Sequence, residues 1–164
     1  MIGQKKLRDF IDGQIAHDEF PRFSIIVGDK GSGKRTLCKY ISESLNAFWC
    51  YEPDNKVETV RNVIAESYKR VSPTCYVFTD ADNMSINAKN ALLKVTEEPP
   101  NSAYFIMTVV NLDNVLPTIR SRANIYHMSP YSADELDTYY HDYAVNRKSD
   151  EHEIVHKLCD TPGS

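Results

Sequence analysis

Short apolar runs alternate with amphipathic segments along most of the chain. The apolar runs are rich in β-branched and aromatic residues, which is typical of strands buried on both faces of a parallel sheet. We predict strands at residues 23–27, 47–51, 75–78, 104–110 and 124–128. Apolar residues at helical spacing predict helices around residues 7–15, 37–45, 57–68, 88–95 and 115–121. This alternation predicts an α/β fold with helices on both faces of a parallel sheet.

The pattern changes at Pro130, after which it is helical only. Ser132 and Glu135 have the spacing of a capping box, and helices are predicted over residues 132–143 and 151–159. We therefore predict one domain over residues 1–129 and part of a helical second domain over residues 130–164. Two helices are too few to complete a helical bundle. We interpret the sequence as a fragment of a longer protein and expect this fragment to be monomeric on its own.

Composition excludes several classes of protein. Hydrophobic residues make up 41% and charged residues 26% of the sequence, as in ordinary globular domains. No apolar stretch approaches the roughly 18 residues of a membrane helix, and the N-terminus has no signal-peptide pattern, so a cytoplasmic protein without membrane contact is expected. The 4 cysteines are scattered without a C-x-x-C pair, which argues against zinc and disulfides. A net charge of −4 gives no overall attraction to nucleic acid.

A glycine-rich segment between the first strand and the second helix has the context of a phosphate-binding loop. Glycines allow backbone N–H groups to surround phosphate oxygens, and the following helix N-terminus adds partial positive charge. Lys34 is placed to reach the β- and γ-phosphates. We expect this segment to bind ATP or ADP. The predicted binding residues are Gly28, Gly31, Ser32, Gly33, Lys34, Arg35 and Thr36.

The residue after Lys34 departs from the usual phosphate-loop pattern. That position normally holds Ser or Thr, whose hydroxyl binds Mg²⁺, but here it is Arg35. Thr36 follows one place later, a rotation of about 100° on a helix. Thr36 is therefore the candidate metal ligand, and the altered position argues against a firmly held Mg²⁺.

Three short segments form a distinctive pattern: Asn-Ala-Leu-Leu-Lys at 90–94, Glu-Glu-Pro-Pro at 97–100 and Thr-Ile-Arg-Ser-Arg at 118–122. They resemble the clamp-loader branch of the AAA+ ATPases, found in bacterial DNA polymerase III gamma/tau and delta-prime subunits. The resemblance implies a five-stranded parallel sheet flanked by helices, followed by the start of a small helical lid domain. Ile2 and Gly3 resemble the family's opening box, so the resemblance places their backbone near the adenine.

The resemblance also locates the residues expected to handle Mg²⁺ and water. Counting back eleven residues from Asn90 without gaps places Thr79 where the Walker B aspartate stands. Asp80 then occupies the position of the catalytic glutamate. Threonine lacks the charge that holds Mg²⁺, and aspartate is one methylene shorter than glutamate, so efficient hydrolysis is not expected. A shifted register would instead make Asp80 the metal residue.

Arg122 matches the family's arginine finger, although Ala123 replaces the usual cysteine. In this family that arginine reaches the ATP of a neighbouring subunit and stabilises charge on the γ-phosphate. The alternative role of Arg122 is a helix C-terminal cap or a surface ion pair.

These residues favour a delta-prime-like clamp-loader subunit over two other functions. Such a subunit would bind nucleotide weakly, hydrolyse it poorly and supply Arg122 to a neighbouring ATPase subunit. Its expected partners are other clamp-loader subunits and, through the assembly, the sliding clamp and primed DNA. One alternative is an active gamma/tau-like ATPase that uses Thr36 and Asp80. The other, a small-molecule kinase, leaves the segment at 90–94 unexplained.

Overall fold

The computed structural model describes residues 3–52 and 54–146. The strands are β1 (Phe23–Val27), β2 (Phe48–Glu52), β3 (Thr74–Phe78), β4 (Ala103–Val109) and β5 (Asn124–His127). The helices are α1 (Lys5–Ala16), α2 (Lys34–Ser44), α3 (Val57–Ser67), α4 (Ile86–Glu97), α5 (Pro117–Arg120) and α6 (Ala133–Asn146). Single 3₁₀ turns cover Ala81–Asn83 and Leu112–Asn114.

The five strands form one parallel sheet in the order β2-β3-β4-β1-β5. Strand β1 lies between β4 and β5, with Ser24 beside both Ile106 and Asn124. Because the strands are parallel, the loops that follow β1, β3 and β4 all leave from the same, carboxyl edge of the sheet. This confirms the predicted α/β class and brings the phosphate-loop segment and the acidic segment after β3 to one edge.

Helices cover both faces of the sheet, so the strands are buried as continuous apolar runs. Helices α3, α4 and α5 pack on one face, around a core that includes the fully buried Phe78, Leu92 and Phe105. Helices α1 and α2 pack on the other face. There the Cys38 and Cys75 thiols are buried, and burial raises the pKa of Cys38 well above its ordinary value.

Side chains cap the starts of α4 and α6. The Ser85 hydroxyl accepts a hydrogen bond from the Ala88 N–H at 3.2 Å, and Ser132 and Glu135 form the reciprocal bonds of the predicted capping box. Asp54 and Asn55 precede α3 and are residue types that commonly cap helices, but the N-cap is Lys56. Asn55 instead donates its side-chain amide to the Thr79 carbonyl at 2.8 Å.

Element bounds differ from the predictions mainly where turns were not recognised. The predicted helix at 115–121 is shortened to Pro117–Arg120, because residues 112–114 form a 3₁₀ turn and Pro117 starts the helix. The predicted helix at 151–159 and residue Ile2 lie outside the described residues. Within residues 3–52 and 54–146, no helix is both long and apolar enough to cross a membrane.

Candidate functional site

The loop between β1 and α2 adopts the backbone conformation that its glycines permit. Gly31 and Gly33 have φ of 76° and 88°, in the left-handed region that is strained for other residues. A Cβ on Gly28 would lie 2.7 Å from the Ser32 hydroxyl and 3.1 Å from the Met128 Cβ, so the loop is closely packed at this position. Helix α2 starts at Lys34 with Gly33 as N-cap, so no side chain caps its first turn. Such a helix N-terminus attracts anions.

The Lys34 ammonium lies on the loop itself. Its Nζ donates hydrogen bonds to the carbonyls of Gly28 and Asp29, both at 2.7 Å. Burial lowers the pKa of Lys34, and the nearby Asp80 carboxylate is the strongest of the charges that oppose this shift. The ammonium is therefore held where the loop, the start of α2 and the segment after β3 meet.

Arg35 and Thr36 are both exposed on the first turn of α2. Arg35 and Thr36 are the next two residues of the helix after Lys34. Their side chains therefore point in different directions around the helix axis from the Lys34 side chain.

The segment after β3 presents one exposed carboxylate. Thr79 follows Phe78 directly, and its carbonyl accepts the hydrogen bond from Asn55. Asp80 has φ of 49°, and its N–H donates to the Thr108 hydroxyl at 3.2 Å. Thr108 lies in β4, one residue before the end of the strand. Its hydroxyl positions the backbone of Asp80 and leaves the Asp80 side chain exposed.

Asp82 has a structural role that differs from that of Asp80. Its Oδ2 accepts the N–H groups of Val110 and Asn111 at 3.2 and 3.1 Å, while Oδ1 has no hydrogen-bond partner in the part of the chain that the structure describes. The buried Lys89 donates its ammonium to the carbonyls of Asp82 and Asn114 at 2.9 and 2.7 Å. These bonds join the segments that follow β3 and β4, and so fix the backbone around Asp80.

The N-terminal segment meets the segment after β5 beside the phosphate loop. The Gln4 side-chain amide donates to the Ser129 carbonyl at 2.6 Å and accepts the Ser129 N–H at 3.0 Å. Tyr131 donates its hydroxyl to the Ser32 carbonyl at 2.9 Å. Gly3, the described member of the predicted adenine-side pair, therefore lies near the loop, with Tyr131 between them.

Arg122 lies just beyond α5 and contacts the end of α4. Its guanidinium donates to the Thr118 carbonyl at 2.9 Å and forms an ion pair with Glu97 at 3.0 Å. Glu97 is the last residue of α4 and begins the Glu-Glu-Pro-Pro segment. Both side chains are partly exposed. The structure therefore shows Arg122 in a surface ion pair, which is the alternative to the arginine-finger role.

Arg122 and Lys34 lie at opposite edges of the sheet. Arg122 comes two residues before β5 begins, at the amino edge, whereas the loop that contains Lys34 follows the end of β1, at the carboxyl edge. The five residues of β1 separate the two edges by about 13 Å. Arg122 is thus placed away from the phosphate loop of its own chain.

Comparison with known proteins agrees with these features. A family model described as DNA polymerase III, delta subunit, matches residues 52–132. DNA polymerase III subunit gamma of Buchnera aphidicola (subsp. Schizaphis graminum) is 25% identical over 83% of this chain and 46% of its own length. Subunit delta-prime of Escherichia coli K12 is 38% identical over 52 residues, which are 32% of this chain and 16% of that protein. These matches support a relationship of this chain to the clamp-loader AAA+ family.

Solved structures support the same fold. The Holliday junction branch migration motor RuvB of Thermotoga maritima superposes with a TM-score of 0.73 at 15% identity, covering 88% of this chain and 51% of RuvB. At that identity the likeness establishes the AAA+ fold alone. The chain spans less than half the length of the Buchnera gamma subunit that it matches.

The structure brings together most, but not all, of the predicted site residues. Gly28–Lys34, Gly3 and Asp80 meet at the carboxyl edge, Arg35 and Thr36 lie at its exposed rim, and Arg122 lies at the opposite edge. Sequence reasoning missed Tyr131 and Asn55. Neither belongs to a recognisable motif, and only the folded chain shows that they contact the phosphate loop and Thr79.

Proposed function

We propose that this chain is part of a delta-prime-like clamp-loader subunit that binds nucleotide weakly, hydrolyses it inefficiently and supplies Arg122 to a neighbouring ATPase subunit. In this proposal its partners are other clamp-loader subunits. The sliding clamp and primed DNA are reached through the assembly. The observation on which the proposal mainly rests is the separation of Arg122 from Lys34 by the width of the sheet. An arginine at the amino edge is suited to act on a nucleotide bound by another subunit.

The loop supports binding of a polyphosphate. Backbone N–H groups at glycines with left-handed conformations and an uncapped helix N-terminus are donors suited to phosphate oxygens. The Lys34 ammonium, held by two carbonyls, can exchange them for phosphate oxygens without leaving the loop. The nucleotide in this proposal is ATP or ADP.

The residues beside the loop support poor hydrolysis. Thr79, at the end of β3, has a hydroxyl where the family has the Walker B carboxylate. Asp80 is exposed, and its backbone is fixed by Thr108, so the shorter side chain has little freedom to approach a water on the γ-phosphate. Because phosphoryl transfer depends on positioning and charge, displacements of about 1 Å can reduce the rate about a hundredfold.

The nucleotide affinity of the full-length protein is expected to depend little on Mg²⁺. Arg35 replaces the hydroxyl that binds Mg²⁺, and Thr79 replaces the carboxylate that holds it, so the metal adds few contacts. Calorimetric titration with ADP in excess Mg²⁺ and in excess chelator should give dissociation constants within about threefold. A loss of binding in chelator would contradict this expectation and would favour Thr36 or Asp80 as metal ligands.

The exposed Glu97–Arg122 ion pair does not oppose the finger role. Exposed ion pairs contribute roughly 0–1 kcal/mol, because water screens them and holding two side chains costs entropy. A γ-phosphate carries more charge than one carboxylate and would compete effectively for the guanidinium.

An active gamma/tau-like ATPase is the alternative, and the alignment of 83% of the chain with a gamma subunit favours it. The two functions are separated by measuring ATP turnover of the full-length protein, alone and with clamp and primed DNA. We expect turnover near background without other clamp-loader subunits. Lys34→Ala tests whether any residual turnover uses this loop, with the exposed Lys39→Ala as the matched control. Robust turnover that only Lys34→Ala abolishes would establish the alternative.

A further inference from the structure

The guanidinium of Arg122 is held from two directions. Its Nη1 donates to the Thr118 carbonyl at 2.9 Å, a bond within the turn of chain that ends at Arg122. Its Nη2 lies 3.0 Å from a carboxylate oxygen of Glu97, which belongs to a different helix. Because the two contacts involve the two terminal nitrogens of a planar group, together they restrict both its position and the orientation of its plane.

The backbone beside Glu97 is itself anchored. Glu97 is the last residue of α4, and the N–H of Glu98 still donates to the Lys94 carbonyl at 2.9 Å. The Tyr68 hydroxyl, just after α3, donates to the Glu98 carbonyl at 2.9 Å. Two prolines follow at residues 99–100, and proline restricts its own backbone and that of the residue before it. The Glu97 carboxylate therefore extends from a fixed base, as it must if it is to orient another side chain.

The two contacts leave most of the Arg122 guanidinium available to a ligand. A guanidinium has five N–H donors. Within residues 3–52 and 54–146, the Thr118 carbonyl accepts from one of them and the Glu97 carboxylate lies beside another. The Arg122 side chain is 39% exposed. The remaining N–H groups can thus reach a phosphate of a neighbouring subunit while Glu97 stays in place.

We propose that Glu97 is a positioning residue for the arginine finger, and that it keeps the Arg122 guanidinium oriented for the γ-phosphate of a nucleotide bound by a neighbouring subunit. An arginine without such a partner samples many side-chain conformations, and only some of them would reach the phosphate. The Glu97 carboxylate limits that sampling before the subunits meet, as supporting contacts do for functional side chains. This inference rests on the proposed finger role of Arg122, because Glu97 acts only through that side chain.

Steady-state ATP turnover of a reconstituted assembly that contains the full-length protein tests the inference. Glu97→Gln removes the charge and keeps the size of the side chain. It should lower kcat at the neighbouring site by about threefold, within the range of one exposed ion pair, and leave KM within about twofold. The difference from the unmodified assembly should shrink between about 0.05 M and about 0.5 M salt, because salt screens an exposed ion pair.

Two further variants show whether the effect passes through Arg122. Glu97→Asp keeps the charge on a shorter side chain, so it should recover about half or more of the turnover that Glu97→Gln loses. This variant also tests the inference if the glutamine variant assembles poorly. In an Arg122→Ala background, Glu97→Gln should have no further effect, because residues that act through one contact are not additive.

Glu98→Gln is the matched control. Glu98 is the next residue and is exposed, and its carbonyl rather than its carboxylate contacts Tyr68. The variant removes the same charge from the same edge of the sheet, so its turnover should match that of the unmodified assembly. A loss equal to that of Glu97→Gln would mean that negative charge at this edge, and not the orientation of Arg122, sets the rate.

Other outcomes overturn the inference and leave the proposed function intact. Unchanged turnover in Glu97→Gln would mean that Arg122 needs no partner, and faster turnover would mean that Glu97 holds the finger back from the phosphate. A higher KM with unchanged kcat would place Glu97 in nucleotide binding, and an additive effect in the Arg122→Ala background would mean that Glu97 acts on another group. If Arg122→Ala itself leaves turnover unchanged, both the inference and the finger role are wrong.

Discussion

Replacing Arg122 with alanine should reduce ATP turnover at the neighbouring site of a reconstituted assembly by about a thousandfold. Arginine fingers contribute roughly 10³–10⁵ to the rate, because the guanidinium stabilises charge on the γ-phosphate in the transition state. Arg122 is exposed and, within residues 3–52 and 54–146, is held by Thr118 and Glu97. Its removal should leave the fold, the assembly and the nucleotide affinity of this chain unchanged. Steady-state turnover and calorimetric affinity are the two measurements.

Arg120→Ala is the matched control for this experiment. Arg120 ends the same short helix and forms an exposed ion pair with Asp113 at 3.1 Å. Its loss should leave turnover within about twofold, because exposed ion pairs contribute little. If Arg122→Ala and Arg120→Ala behave alike, Arg122 is an ordinary surface residue and the finger role is wrong.

Replacing Lys89 with methionine should lower the free energy of unfolding by about 2–4 kcal/mol. Lys89 is buried and donates to the carbonyls of Asp82 and Asn114, which lose their charged donor in the variant. Each hydrogen bond to a charged group contributes about 1.5–3 kcal/mol, partly offset because the ammonium no longer has to be buried. Methionine keeps the length and the apolar stem, so loss of packing contributes little. Urea unfolding followed by circular dichroism measures the difference.

Lys39→Met provides the comparison for that measurement. Lys39 lies on α2 and forms an ion pair with Glu43 at 3.9 Å, with both side chains 66% exposed. Its replacement should change the free energy of unfolding by less than about 0.5 kcal/mol. A Lys89→Met variant as stable as Lys39→Met would show that the two carbonyls find other donors. The network around Asp82 would then not be needed to fix the segments after β3 and β4.

The sequence predicted the fold well because a parallel α/β sheet is marked by apolar strands and amphipathic helices, and both patterns are local in the sequence. The run at Phe23–Val27 has no polar residue except Ser24, which suits a strand covered on both faces. The glycines that follow this strand favour a turn, and the spacing of Leu37 and Ile41 indicates a helix. The order of strands was predictable only through the family resemblance, since no periodicity in one strand identifies its neighbours.

The site was predicted less completely, because its details depend on side-chain directions between distant segments. Asp80 and Asp82 look equivalent in the sequence, but a left-handed turn at Asp80 exposes one carboxylate and buries the other. Asn55 seemed suited to cap α3, yet it reaches across to the Thr79 carbonyl. Tyr131 meets Ser32, 99 residues away, without any motif that would mark it.

The position of β1 between β4 and β5 has a consequence for the order of folding. Its two neighbours, β4 and β5, come last among the strands along the chain, and the bonds between Gln4 and Ser129 span 125 residues. During synthesis, Ile25 and Ile26 emerge long before the strands that will cover them. Contacts of such long range slow folding and leave apolar segments exposed to association. A ribosome-bound nascent chain ending before Asn124 should therefore be much more sensitive to protease than one that includes β5.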